Sequence, residues 1–102
     1  MSEIAFISGQ YRADTTHNIL ENIRKAEQVA IKYWQKGYVV ICPHLNTRLF
    51  DGVLDDDVWL KGYLEILKRC DVIIMMKQWQ KSIGASLELQ QAKKYNLKII
   101  YD

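Results

Sequence analysis

The chain has 102 residues, 49% hydrophobic and 25% charged, with five Gly, one Pro, three Trp, six Tyr and two Phe. That balance excludes collagen-like, mucin-like and disordered chains and suits one domain, residues 1–102, with a real core. A net charge of +2, with both signs intermixed, gives no argument for a nucleic-acid or membrane partner.

Residues 4–8 (IAFIS) form a short apolar run closed by Gly9, which predicts a buried strand. A polar loop follows. From Thr15 or Thr16 the apolar residues change period: Ile19, Leu20, Ile23, Ala26, Val29, Ala30, Tyr33 and Trp34. Steps of three and four place them on one face of a helix, capped by Thr15 or Thr16 and stopped at Gly37. Residues 38–42 (YVVIC) read as a second buried strand, ended by Pro43. A loop is expected from His44 to about Asp56. Trp59, Leu60, Tyr63, Leu64 and Leu67 then mark a second helix, with the acidic run 55–57 at its start. Residues 71–76 (DVIIMM) predict a third strand, and residues 77–82 a polar loop. A third helix runs from Ile83 to about Tyr95, with Leu87, Leu89, Ala92 and Tyr95 as packing positions. Residues 97–101 (LKIIY) form the last strand.

Strands alternating with helices predict an α/β, flavodoxin-like (Rossmann-like) three-layer sandwich with a parallel sheet of about four or five strands. Ligands of such sheets bind beyond the carboxyl ends of the strands, which directs attention to the loops after Ser8, Cys42 and Met76. No apolar run approaches the roughly 20 residues of a membrane span. The start, MSEIAFISGQYR, carries no secretory signal pattern, so a cytoplasmic location is expected (the host cytoplasm, if phage-encoded). Cys42 and Cys70 lie far apart and form no zinc pattern with His17 and His44. They read as buried free thiols, and neither a metal nor a cofactor is expected.

At the first loop, Ser8 and Gly9 end the strand, Tyr11 suits base stacking and Arg12 suits a phosphate. A strand-ending Gly with an exposed Arg is the plain alternative. At the second, His44 and Asn46 can reach a ligand or serve only the turn. The third, SIGASLE (82–88), is the most informative. Ser82 and Gly84 open a helix whose free N–H groups suit a phosphate, with Ser86 close by. Glu88 lies one turn beyond Gly84, where a carboxylate can attack a sugar carbon as in retaining glycosidases. A solvated Glu in a first turn is the alternative. The run 55–57 reads as a capping cluster, because consecutive side chains diverge. Trp34 and Trp59 read as packing residues.

Four segments in order, FISGQYR (6–12), ICPHLNT (41–47), RCDVIIMM (69–76) and WQKSIGASLE (79–88), resemble the nucleoside 2-deoxyribosyltransferase-like superfamily. The closest likeness is to its small branch of phage and bacterial proteins of unassigned function. The resemblance implies cleavage of the N-glycosidic bond of a nucleoside or nucleoside 5′-monophosphate. A Glu attacks the anomeric carbon, and water or another base then receives the sugar. Glu88 falls at the nucleophile's place. Ser82 falls where the hydrolase branch has a Ser that contacts a 5′-phosphate, and Gly9 and Arg12 fall in the first ligand loop.

Two positions depart from the pattern. Tyr63 stands where the hydrolase branch has an Asp that assists the leaving group, and Phe6 stands where it has a Tyr. A phenol is a weaker acid than a carboxyl near neutral pH. Acid assistance is worth about 10²–10⁴ in rate, so its loss leaves either a slow enzyme or a nucleotide-sequestering binder. The resemblance also implies a homodimer or larger homo-oligomer, with any shared contribution coming from a loop rather than a C-terminal tail.

Overall fold

The computed structural model describes residues 2–102. In chain order the elements are β1 (Ile4–Ser8), α1 (Thr16–Gln35), β2 (Val39–Ile41), α2 (Pro43–Asn46), α3 (Asp56–Leu67), β3 (Val72–Met75), a 3₁₀ turn (Trp79–Lys81), α4 (Ile83–Lys94) and β4 (Lys98–Tyr101). The four strands form one parallel sheet in the order β2-β1-β3-β4. The chain leaves β1 in one direction to reach β2 and crosses back to β3 on the other side. The switch in strand order therefore lies between β1 and β3, where open sheets of this kind leave a crevice.

Alternation along the central strands builds two cores. Ala5, Ile7, Val72 and Ile74 face Ala26, Ala30 and Tyr33 of α1. Phe6, Ile73 and Met75 face Tyr63 and Leu67 of α3 and Ala85, Leu89 and Ala92 of α4. Helices thus cover both sheet faces, and strands buried on both sides read as continuous apolar runs. The Thr15 side chain caps α1 by accepting from the Asn18 N–H at 3.1 Å. Gly37 follows with φ +98°, a conformation that other residues rarely adopt.

Several expected boundaries shift. Residues 43–46 form a helical turn rather than loop, with Pro43 at a first-turn position where its missing N–H costs nothing. The polar loop before α4 contains the 3₁₀ turn. On α4 the buried face is Ala85, Leu89 and Ala92, whereas Leu87 and Tyr95 are exposed. Trp34 is 53% exposed rather than packed, because it lies beside the α1 stripe of Ile23, Ala26, Ala30 and Tyr33.

Gly9 shows why the end of β1 has no side chain. A Cβ there would lie 2.6 Å from the Met76 sulfur and 2.8 Å from its Cβ. Its role is therefore to admit Met76, a core residue, rather than the part in a ligand loop that the resemblance implies. Gly9→Ala is expected to lower stability by about 1–3 kcal/mol through overpacking, checked by urea unfolding.

Candidate functional site

A cavity of about 490 Å³ opens beyond the strand ends, within the range of about 300–1,000 Å³ typical of small-molecule sites. Its walls come from the segments after three strands: residues 10–12 after β1; Pro43, His44 and Thr47 after β2; and residues 81–84 with Glu88 after β3. The remaining wall is Phe50, Asp51 and the first two turns of α3, including Asp56, Asp57, Trp59 and Tyr63.

Glu88 is partly buried at the cavity floor, one turn from Ala85 and beside Leu89 on the inward face of α4. Its Oε1 accepts a hydrogen bond from Ser8 Oγ at 2.6 Å. Ser8 is itself fully buried at the end of β1. Burial raises the carboxyl to about 7, against the lowering effect of the Ser8 hydrogen bond. The solvated-Glu alternative does not describe this side chain.

Ser82 is the N-cap of α4, and its Oγ accepts from the Ala85 N–H at 3.0 Å. That leaves its O–H proton available to a ligand. The Ile83 and Gly84 N–H groups are first-turn donors without intrahelical partners. With Lys81 beside them, this end of the cavity suits an anion. Gly84 lines it, and a Cβ there would meet only Ser82 Oγ, at 3.7 Å. The space beside Gly84 is therefore open to the cavity. Ser86 is turned to its own helix, donating to the Ser82 carbonyl at 3.0 Å, and is not part of the cavity wall.

The opposite end is built differently. Arg12 bridges Asp51, at 2.9 Å, and Asp56. The expected phosphate partner is thus engaged by two carboxylates. Tyr11 donates to Asp51 at 2.5 Å and accepts from the Leu49 N–H at 3.0 Å. Its ring tilts against His44, with centroids 5.9 Å apart. It serves as wall rather than as an open stacking face, and burial together with Asp51 raises its hydroxyl above the usual value. Among the run 55–57, Asp56 pairs with Arg12, Asp57 lines the cavity and Asp55 precedes α3 without a capping bond. No cluster of three or more His, Cys, Asp or Glu suited to a metal occurs among the described residues.

His44 is 3% exposed and contacts the Gln10 carbonyl through Nε2 at 3.0 Å. A carbonyl only accepts, so Nε2 carries the proton and Nδ1 carries the lone pair. Burial lowers its pKa, which keeps the ring neutral at pH 7. The buried Nδ1 has no partner, and neither does the buried Nε1 of Trp59. Tyr63 is buried, packs edge-on against Phe6 and lines the cavity. Asn46, an exposed residue outside the cavity lining, donates to the Tyr63 hydroxyl at 2.9 Å.

The structure thus brings Glu88, Ser8, Ser82, Gly84, Tyr11, Arg12, His44 and Tyr63 together, and leaves Asn46, Gly9 and Ser86 in supporting places. Thr47, Phe50, Asp51 and Lys81 are additional lining residues that the sequence patterns do not single out. Cys42 and Cys70 are free, and burial pushes both thiols up to about 11, far from reactive. Among the described residues no helix is long and apolar enough to cross a membrane.

Residues 6–101 match the family described as a domain of unknown function, DUF4406, and the chain belongs to that family. No curated protein matches it.

Proposed function

We propose that this DUF4406 member is an N-glycosidase or deoxyribosyltransferase-like enzyme acting on a nucleoside or nucleoside 5′-monophosphate, with Glu88 as the nucleophile. The observation that carries the reading is Glu88 itself. It is a carboxylate held by Ser8 on the floor of a nucleotide-sized cavity. A helix start suited to a phosphate lies one turn away. In the first step a Glu88 oxygen bonds to C1′ as the C1′–N bond breaks, and its electrons leave with the base. In the second, water or another base attacks C1′ and releases the carboxylate.

The resemblance implies a 5′-phosphate near Ser82, and the geometry of the α4 start supports this. Gly84→Ala tests it. Replacing Gly by Ala within a helix favours folding by about 0.5–1 kcal/mol, while the added methyl occupies ligand space. The variant is expected to melt higher and to bind deoxynucleoside 5′-monophosphates at least about tenfold more weakly by calorimetry, a loss of ~1.4 kcal/mol.

Ile83, a cavity-lining residue that is 82% exposed, supports the expected homo-oligomer. A second reading is a non-catalytic nucleotide-sequestering protein. It is favoured by Phe6, which offers no hydroxyl, and by the enclosed Tyr63 phenol. The deciding experiment incubates the protein with ribo- and deoxynucleotides and analyses both the solution and the ligand released on denaturation by mass spectrometry. Free base and sugar phosphate that disappear with Glu88→Ala support the enzyme. An intact nucleotide released only on denaturation supports the binder and refutes the enzyme.

A further inference from the structure

An amide, a phenol and a hydroxyl form a connected chain along one cavity wall. Asn46 Nδ2 donates to the Tyr63 hydroxyl at 2.9 Å, and that hydroxyl lies 3.0 Å from Thr47 Oγ1. An amide nitrogen can only donate, so the phenol oxygen accepts from Asn46 and its own proton goes elsewhere. Two acceptors are in reach: Thr47 Oγ1 at 3.0 Å and the Pro43 carbonyl at 3.5 Å. Sending the Tyr63 proton to Thr47 Oγ1 gives both hydroxyls their shorter available acceptors, because the Thr47 proton then takes the Pro43 carbonyl at 3.3 Å rather than leaving it to Tyr63 at 3.5 Å. The carbonyl also accepts the Thr47 backbone N–H at 3.2 Å. The chain therefore runs one way, from Asn46 through Tyr63 to Thr47.

At its end the Thr47 proton remains to be placed. Without a ligand it reaches the Pro43 carbonyl at 3.3 Å. That carbonyl keeps its backbone N–H partner if the hydroxyl turns away, so redirecting the proton leaves no orphan. Thr47 and Tyr63 line the cavity, and Asn46 does not. A hydroxyl that accepts from Tyr63 is polarised to donate more strongly to a ligand.

We propose that Thr47 hydrogen-bonds the departing base, and that Tyr63 and Asn46 are positioning residues that direct its proton into the cavity. The acceptor is a lone pair on the leaving heterocycle, a ring nitrogen or carbonyl oxygen. This rests on the glycosidase reading of Glu88. As Glu88 Oε bonds to C1′, the C1′–N electron pair passes to the base. Thr47 transfers no proton. Its hydrogen bond stabilises the charge on the departing base, which then takes a proton from water. A second water attacks C1′, frees the Glu88 carboxylate and returns a proton to solvent.

The test compares the four natural 2′-deoxynucleoside 5′-monophosphates with 4-nitrophenyl 2-deoxyribofuranoside 5-phosphate, whose nitrophenolate departs without assistance. Thr47→Val is expected to lower kcat/KM on the natural substrate about 10- to 100-fold, the size of a hydrogen bond to a charged group. The loss on the nitrophenyl substrate is at least about fivefold smaller, and circular dichroism reports an intact fold. Thr47→Ser restores the natural activity. Asn46→Asp, at an exposed position, gives an independent reading. Its carboxylate draws the Tyr63 proton, so Thr47 turns to donate to Tyr63. The same selective loss follows with Thr47 intact. Equal losses on both substrates, or none on the natural one, overturn the proposal and leave the role of Glu88 standing. A wild-type chain that cleaves neither substrate overturns both.

Discussion

Glu88→Gln is expected to lower turnover by on the order of 10⁴-fold or more while the variant still binds the same nucleotide. Glutamine keeps the shape of the side chain and an oxygen to accept the Ser8 hydrogen bond, but it is not a nucleophile. The wild-type protein is expected to add a signature. A nucleophile acts as the carboxylate, and burial raises this carboxyl to about 7. The fraction ionised, and with it kcat/KM, therefore rises tenfold per pH unit below about 7 and levels above it. A general acid at the same place would give the opposite limb. Initial rates between pH 5 and 9 distinguish the two, and a rate falling through neutrality would contradict the nucleophile.

The same residue predicts a large effect on stability. A carboxyl raised from 4.5 to about 7 binds its proton more tightly in the folded chain than in the unfolded one. Between those two values the native state holds more protons, so stability falls as pH rises and the loss is complete above about 7. The full shift sets an upper bound of about 3 kcal/mol, and the partial exposure of Glu88 reduces it to about 1–3 kcal/mol. Glu88→Gln carries no such burden. It is expected to match the wild type near pH 4 and to exceed it at pH 8, with a melting temperature higher by about 5–15 °C. Thermal unfolding followed by circular dichroism at both pH values checks this. Equal melting temperatures at pH 8 would place the Glu88 carboxyl near its ordinary value.

Activity and stability thus pull against each other at one carboxylate. The fold keeps a charge on the floor of a cavity where a neutral side chain would be more stable. Such a cost is expected of a group retained for chemistry. Gly84→Ala is expected to follow the same logic in milder form: alanine suits the helix better, and on the proposed reading its methyl takes ligand space.

Much of this arrangement is legible in the sequence, for specific reasons. The runs IAFIS and DVIIMM announce central strands because both sheet faces are covered. The α1 stripe follows the helical period. Glu88 carries a readable signal too: it falls between Ala85 and Ala92 and beside Leu89, on the one face of α4 that packs inward. Spacing alone favours a solvated Glu until that face is identified.

The outer wall is less legible. Residues 47–57 have no period. Their path depends on Leu49 at φ +60° and Gly52 at φ +81°. It also depends on Asp51 meeting Tyr11 and Arg12, 40 and 39 residues away in sequence. Local patterns cannot anticipate such pairings, so Arg12 reads as a free phosphate ligand when two carboxylates already hold it. Gly9 is located correctly by its position after a strand, but its reason is Met76, a neighbour made only by the sheet.

The proposed chemistry turns on a covalent bond between Glu88 and the sugar. Rapid acid quench during turnover of a deoxynucleoside 5′-monophosphate, followed by intact-mass and peptide analysis, tests it directly. One deoxyribosyl phosphate is expected on the peptide carrying Glu88, absent from Glu88→Gln. Sustained turnover by Glu88→Gln, or an adduct on any other residue, would contradict it.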